Sequence, residues 1–556
     1  VDGPTIASYL AARAADERPA LTVDDHTWTW SEAVAEAGAH AAVLRRLRDD
    51  QPEGAPFHVG VLLENVPEFV WLLYGAALAG ATVVGINPTR RGAELERDIR
   101  HTDCQWLFTS ADLAGLVAGL DLGAVGSPVL VDTPDYRKLV QDAAPAPFSL
   151  ELPDAESLYL LLFTAGSTGS PKAVRMSQGR AARTAAESAR AFGPDDVLYC
   201  AMPLFHGNAL VANLFPGLVA GASVVLRRRF SATAFGPDIR RYGCTYFNYV
   251  GRALSYLLAV PESPEDGENR LRWALGSEAS PQNIAEFTRR FRCPVFEGYG
   301  STENAVVIAP AAGMPPGALG RPHAGIDVAI VDPETGRERA VADLDDAGRL
   351  RNPADAVGEI VGRNRAPAFE GYYRNPEADA ARTRDGWYWT GDLGYRDATG
   401  WVYFAGRTAD WLRVDGENLS AGPVERILNR WNATSGVAVY GVPDPVTGDQ
   451  VMAAVEVENP AAFDPAAFAA FLAAQPDLGP KWLPRFVRVT RRLPVTGAGK
   501  VDKAPLRAEA WSTPEDPVWW RPDGPSEWRA FTAEDEAGLA DRFSASGRMG
   551  PEPAPA

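Results

Sequence analysis

Short apolar runs that each break into a polar or glycine-rich loop recur along this sequence, and that repetition restricts the fold more than any other feature. Leu158 to Phe163 reads as a buried strand and opens into Thr164-Ala165-Gly166-Ser167-Thr168-Gly169-Ser170-Pro171-Lys172. Another short strand ends at Met202-Pro203-Leu204-Phe205-His206-Gly207-Asn208. Thr245 to Val250 leads into Gly251, and Leu271 to Leu275 into Gly276-Ser277-Glu278. Pro294 to Phe296 runs into Glu297-Gly298-Tyr299-Gly300-Ser301-Thr302-Glu303. Strands alternating with helices at this spacing predict an α/β fold with a mostly parallel sheet. Loops that follow such strands lie at their C-terminal ends, where open α/β sheets bind ligands.

The first part of the chain supports this alternation. Thr5 to Arg18 has helical spacing, and Ala20 to Trp30 alternates like two short strands around Asp24-Asp25. Ser31 is expected to cap an alanine-rich helix reaching about Leu47. His58 to Leu63 reads as a strand, Glu94 to His101 as a helix and Cys104 to Thr109 as a strand. Phe69 to Ile86 carries no charge over 18 residues, close to the length of a membrane span. Gly75, Gly80 and Gly85 interrupt it, however, and Asn87-Pro88 close it. A buried helix, Glu68 to Leu78, turning at Gly80 into a strand, Thr82 to Ile86, accounts for it better, so no transmembrane segment is expected.

At 556 residues the chain exceeds what one core serves, so at least two domains are expected. A net charge of −18 removes the basic footprint that nucleic-acid binding requires. The four cysteines, Cys104, Cys200, Cys244 and Cys293, are widely spaced with no CxxC pair and no secretory leader ahead of them. They read as reduced thiols of a cytoplasmic protein.

The loop from Thr164 to Lys172 has the chemistry of a phosphate cradle. Its glycines let several backbone N–H groups face one point, Ser167 and Thr168 add hydroxyls, and Lys172 adds a point charge. It is not a Walker loop, because Lys172 follows Pro171 and Ala173 stands where Mg²⁺ would want Ser or Thr. Taken alone it could equally be a Gly/Ser surface turn.

Together these loops resemble the adenylate-forming superfamily of acyl-CoA synthetases, peptide-synthetase adenylation domains and luciferase-type enzymes. Further stretches match in order: Trp387-Tyr388-Trp389-Thr390-Gly391-Asp392-Leu393-Gly394, Phe404-Ala405-Gly406-Arg407, Gly416-Glu417-Asn418-Leu419-Ser420 and Pro494-Val495-Thr496-Gly497-Ala498-Gly499-Lys500. The resemblance runs from about Pro4 to Trp520. Gly416-Glu417-Asn418 and Tyr246-Phe247-Asn248-Tyr249-Val250-Gly251 look most like the fatty-acid-transport-protein or very-long-chain branch.

The resemblance implies a large N-terminal α/β domain (residues 1–407), mostly parallel sheets flanked by helices, and a small mobile α+β C-terminal domain with a folded tail (residues 408–543). Residues 544–556 are expected to lack structure. It implies ATP, Mg²⁺ and coenzyme A as the groups handled. Thr164, Ser167, Thr168, Gly169 and Lys172 would grip the β,γ-phosphates, and Thr302 would donate to the α-phosphate. Glu303, with Thr168, would hold Mg²⁺ through hard oxygens. Gly276, Ser277, Glu278, Glu297, Gly298, Gly300 and Ser301 would surround adenine, leaving a flat slot against Tyr299. Asp392 would hold both ribose hydroxyls, and Arg407 would contact ribose and phosphate. Lys500 would bridge carboxylate and α-phosphate, whereas its residue type alone suggests an exposed charge. Gly416, Glu417 and Asn418 would enter the site for the thioester step.

The resemblance leaves some positions open. Ala165 and Ala173 replace residues common in the family, and Ala409 stands at the usual hinge, with Asp410 next. His206 resembles the residue at the mouth of the acid site, although a satisfied core histidine fits as well. Phe247, Asn248, Tyr249 and Gly251 are candidate pocket walls. An amino-acid substrate is disfavoured, since no acid follows His206 to pair an ammonium. The expected substrate is an apolar acid: a fatty acid or a bulkier terpenoid or steroid-derived acid of a specialised pathway. Transfer to a carrier protein and a non-catalytic fatty-acid binding protein are the alternatives, and a homodimer is left open.

Overall fold

The computed structural model describes residues 3–143, 152–164, 172–251, 253–277, 279, 281–303, 305–346, 348–407, 411–414, 417–445, 449–475, 478, 482–496, 500–513, 515–522, 527–546 and 551; for residues 281, 407, 411, 413, 417–420 and 546 it describes the backbone alone. Two largely parallel sheets carry most of it. The seven-stranded sheet runs Val295–Glu297, Trp273–Gly276, Tyr246–Asn248, Val197–Cys200, Ser223–Leu226, Pro19–Val23 and His26–Thr29, with only the last pair antiparallel. The six-stranded sheet runs Val129–Leu130, Trp106–Thr109, His58–Leu62, Thr82–Gly85, Leu158–Thr164 and Lys172–Ser177, again antiparallel only in its last pair.

One apolar core joins the two sheets. It takes Val59, Val83 and Leu160 from the six-stranded sheet and Leu198, Val224 and Tyr246 from the seven-stranded one. The helices Trp30–Asp49 and Pro67–Ala79 fill the space beside them. Every residue from Phe69 to Ala79 is buried. At about 2 kcal/mol for each large apolar side chain removed from water, this uncharged helix is explained by core packing. Gly75 lets it close on its neighbour, since a methyl there would sit 2.8 Å from His40 Cβ. Gly80 ends it in the left-handed region at φ 73°. No described helix is long and apolar enough to cross a membrane.

The cap of the first long helix is Thr29 and not Ser31. Thr29 Oγ1 accepts from the Glu32 N–H at 3.2 Å, and the Glu32 carboxylate accepts from the Thr29 N–H at 2.8 Å. Ser31 has no Glu or Gln three residues on, where Val34 stands, so it cannot form that reciprocal pair.

A third, antiparallel sheet was not anticipated. It orders Val328–Val331, Gly358–Gly362, Trp387–Arg396 and Thr383–Arg384, with Val402–Arg407 also paired to Trp387–Arg396.

A separate C-terminal domain is built on a five-stranded sheet of Gly436–Pro443, Asp449–Glu456, Phe486–Thr490, Val518–Trp520 and Arg529–Ala530. Alternation buries both faces. Val437, Val439, Val451 and Val455 face Val424, Phe468 and Leu472, and Tyr440, Met452 and Ala454 face Leu506, Leu539 and Phe543. The tail packs back through Trp511 and Trp520, at 4.8 and 5.8 Å from Phe486. Its last helix, Ala533–Ser546, includes Ser544, where the sequence reading expected no structure. Leu539 and Phe543 on its inner side supply the burial that holds it.

Candidate active site

The strand ending at Thr164, the His206 loop and the Thr302 loop meet at the C-terminal edges of the two parallel sheets. Gly207 lies where they touch: a methyl there would stand 3.2 Å from Thr302 Cγ2 and 3.3 Å from Leu162 Cδ1. The strand ending at Thr164, the His206 loop and the Thr302 loop are therefore in van der Waals contact around one point. Ser167, Thr168, Gly169, Glu278 and Gly416 lie outside the described residues, and only the backbone of Arg407, Glu417 and Asn418 is described.

Glu303 is buried, at 6% exposure, and Tyr372 Oη donates to its Oε1 at 2.7 Å. Tyr372 is itself fixed. Its N–H donates to Asp379 Oδ1 at 2.7 Å, and it bridges Val174 beside the phosphate-loop strand. Lys172 Nζ lies 5.4 Å from the Tyr372 ring centre, within cation–π range. Burial, and then the positive charge of Arg382, lower the Lys172 pKa from its usual value. Arg180, buried in the helix Gln178–Ala189, donates from Nη2 to Thr302 O at 2.8 Å and to Glu303 O. That guanidinium clamps the backbone carrying both residues. Tyr372, Arg180 and Arg382 were missed in the sequence. Gly371-Tyr372-Tyr373 and Arg180, one of two arginines in its helix, carry no chemistry until the fold brings them against Glu303.

Asp392 and Tyr299 form the second cluster. Tyr299 Oη donates to Asp392 Oδ2 at 2.7 Å, and burial together with that carboxylate holds the phenol well above its usual pKa. The Asp392 N–H donates to Thr390 Oγ1 at 3.0 Å, and the Thr390 hydroxyl donates to Ile360 O at 2.7 Å. Gly391, at φ 73°, lets its own N–H reach Glu359 Oε1 at 2.7 Å. In the sheet Asp392 stands opposite Arg407. Two main-chain bonds to Ile308, at 2.9 and 3.0 Å, hold Tyr299 in place. A methyl on Gly300 would meet nothing within 4 Å, so that side is open, and Ser301 beside it is exposed.

The flat slot expected beside Gly276 is occupied by a side chain. A methyl on Gly276 would lie 2.1 Å from Tyr249 Cζ, so the ring of Tyr249 rests on the glycine. Tyr249 Oη donates to Glu297 Oε1 at 3.1 Å, and the Ala279 N–H donates to the same oxygen at 2.7 Å. Main-chain bonds join Gly251 N–H to Ser277 O at 2.9 Å and Gly298 N–H to Gly276 O at 3.1 Å. Phe247 points the other way from its neighbour Asn248. Its ring is 1% exposed and 4.6 Å from Phe235 in a separate core, while Asn248 meets Asn213. Successive strand residues face opposite sides of a sheet, so these two cannot line one cavity together.

His206 keeps some accessible surface, and its Nδ1 accepts from the Asn208 N–H at 3.4 Å. Its pKa is pushed down to about 4, first by burial and then by the positive charge of Lys500. The ring is therefore neutral at physiological pH, and Lys500 of the C-terminal domain stands close enough to repel its proton. Lys500 is half-buried; its N–H donates to Thr496 Oγ1 at 3.3 Å, and its carbonyl accepts from the Thr496 N–H at 2.7 Å.

Comparison with known proteins gives this arrangement its class. Residues 9–373 match the AMP-binding enzyme family, and residues 423–500 match the AMP-binding enzyme C-terminal domain. The chain belongs to this family, as an adenylate-forming acyl-CoA synthetase. A steroid-22-oyl-CoA synthetase of Rhodococcus jostii is 52% identical over 98% of this chain and 98% of that protein. The medium/long-chain-fatty-acid–CoA ligase FadD17 of Mycobacterium marinum is 42% identical over 93% of this chain and 98% of its own. The crystal structure of ATP-bound MatB from Rhodopseudomonas palustris superposes with a TM-score of 0.77 at 25% identity, covering 92% of this chain and 99% of that one. The transport-protein branch suggested by the motifs is more distant: long-chain fatty acid transport protein 1 of Homo sapiens is 31% identical over 87% of this chain and 78% of that one.

Proposed function

We propose that this enzyme activates a steroid-derived or long-chain fatty acid with ATP and passes the acyl group to coenzyme A. The observation that supports this is the close approach of Gly207 to Thr302 beside His206, the ring whose proton the charge of Lys500 repels. The likeness to the Rhodococcus jostii enzyme over the whole chain favours a steroid acid.

Both reactants of the first step are anions, so positive charge must gather at the transferring phosphorus. The substrate carboxylate oxygen bonds to the α-phosphorus as the bond to pyrophosphate breaks. Lys500 bridges the two reactants, Thr302 donates to the α-phosphate, and the loop from Thr164 to Lys172 holds the leaving phosphates. Asp392, oriented by Tyr299, takes the ribose hydroxyls. Neutral His206 orients the acid without adding a second cation beside Lys500. In the second step the CoA sulfur attacks the carbonyl carbon and AMP leaves. The chain divides at Arg407, and the segment after it lets Gly416, Glu417 and Asn418 replace Lys500 for this transfer.

Mg²⁺ fits the residues present. No cluster of three His, Cys, Asp or Glu side chains occurs among the described residues, but Glu303 is a buried carboxylate facing the phosphate-loop strand. One carboxylate plus substrate phosphates is a usual Mg²⁺ environment. The ion supplies charge neutralisation for the phosphates, with Glu303 and Thr168 as its protein oxygens. ATP and CoA make the cytoplasm the place of work.

The test is a panel of steroid carboxylic acids and fatty acids from octanoic to octadecanoic, with ATP, Mg²⁺ and either CoA or an acyl carrier protein. Acid-dependent AMP release with an acyl-CoA product is expected. Thioester on the carrier protein alone would overturn the CoA reading, and no acid-dependent pyrophosphate exchange would overturn adenylation itself.

A further inference from the structure

Two amide side chains pair between the turn after His206 and the Gly276 strand, where a pocket for a purely apolar acid has no use for them. Asn213 is fully buried, and its Nδ2 donates to Asn248 Oδ1 at 3.3 Å. Asn248, 2% exposed at the C-terminal end of its strand, donates from Nδ2 to Leu275 O at 3.3 Å. The direction of this relay is fixed. Leu275 O can only accept, so Asn248 presents its amide nitrogen there and its oxygen to Asn213. Asn213 must then present its own nitrogen, which leaves Asn213 Oδ1 as a buried acceptor with no protein partner. Asn208 Oδ1, nearer His206, is a second such acceptor.

Leaving a buried acceptor unmatched costs about 1–3 kcal/mol. The backbone around Asn213 is unusual too: Leu210–Leu214 forms a π-helical turn, a distortion often found at functional sites. This turn follows His206–Gly207, at the sheet edge where the substrate is bound on the reading above.

Resting on that reading, we propose that Asn213 is a specificity-determining residue and that the physiological acid carries a hydroxyl donor to its Oδ1. The preferred substrate is thus a hydroxylated acid, and not a plain hydrocarbon or a keto acid. A ketone offers only a second acceptor and cannot satisfy an amide oxygen. Asn213 lies seven residues beyond His206, past the turn Gly207–Ala209 and inside the turn Leu210–Leu214, so the hydroxyl belongs on the body of the acid and not beside its carboxylate.

Two acid sets test this by kcat/KM: 8-hydroxy-, 8-oxo- and unsubstituted octadecanoic acid, and 12α-hydroxy-, 12-oxo- and unsubstituted 5β-cholanic acid. In at least one set the wild-type enzyme should favour the hydroxy acid about tenfold over both partners, as one net hydrogen bond allows. Asn213→Leu, alike in branching though bulkier, should bring the three acids level by slowing the hydroxy acid alone. Equal wild-type rates within both sets would overturn the inference, leaving a water on Asn213. So would an equal loss for all three acids in Asn213→Leu, the mark of a structural role. The wild-type comparison decides even if that variant fails to fold. Failure of every acid to support pyrophosphate exchange would instead remove the reading of the site, and the inference with it.

Discussion

The two parts of the site are held by different means. On the large domain, Glu303 is gripped by Tyr372 and by Arg180 through the backbone, and Asp392 by Tyr299 and Thr390. Each support is buried or half-buried; Thr390 lies in a strand and Arg180 in a helix, and Tyr372 and Tyr299 are bridged through the main chain to Val174 and Ile308. The main chain of Lys500 is tied to Thr496 within its own domain, by its N–H to Thr496 Oγ1 and by its carbonyl to the Thr496 N–H. Its domain completes an apolar layer on each face of its sheet from its own residues. A domain closed in this way loses little burial when it shifts against its neighbour. The half proposed to bind nucleotide is thus positioned by packing, and the lysine proposed to bridge the reactants is delivered by a body.

The sharpest way to break that contrast is Lys500→Ala. If the lysine is only delivered, the variant keeps its melting temperature. Acid-dependent pyrophosphate exchange falls by about 10²–10³-fold, the loss typical of one transition-state charge partner. Thioester formation from supplied acyl-adenylate should fall far less. Equal losses in both half-reactions would show that Lys500 also shapes the site at rest.

Tyr372→Phe probes the other half. Removing the hydroxyl frees the Glu303 oxygen it holds at 2.7 Å. Because a hydrogen bond to a charged group is worth about 1.5–3 kcal/mol, the Mg²⁺ concentration for half-maximal exchange should rise by about ten- to a hundredfold. Rates at saturating Mg²⁺ should stay within a few-fold. A fall in maximal rate with unchanged Mg²⁺ dependence would mean that Tyr372 supports the fold and not the carboxylate.

The same contrast explains what could be read from the sequence. Motif residues proposed to touch the reactants, such as Thr302, Glu303, Asp392 and Lys500, carry their chemistry in their type and order. The parallel sheets were legible from apolar runs ending in glycine-rich loops. Supporting residues were not: Arg180 is one arginine in an alanine-rich helix, and Tyr372 acts across 69 residues of sequence separation. Gly276 was read as leaving a space, and only the structure shows Tyr249 filling it. Phe247 and Asn248 were read as joint walls because adjacency in sequence hides the alternation of a strand. Ser31 was taken for a cap because the reciprocal pairing of Thr29 with Glu32 is decided by which residue turns out of the helix.

The smallest effect tests whether the two halves meet as described. His206 has its pKa lowered from 6.5 to about 4, with the Lys500 charge as the second cause after burial. A base held neutral in this way makes the unfolded chain the better proton binder between those values. His206 therefore contributes nothing to the pH dependence of stability above about pH 6.5. Its share is lost as pH falls from 6.5 to about 4 and is level below that. In Lys500→Ala the burial remains and the repulsion goes, so the His206 midpoint should rise from about 4 but stay below 6.5, as followed by imidazole proton NMR. Wild-type adenylation should show no inflection near pH 6.5 from this ring. An unmoved midpoint would place the lysine too far away to act on His206, and the delivered half would then not have reached the positioned one.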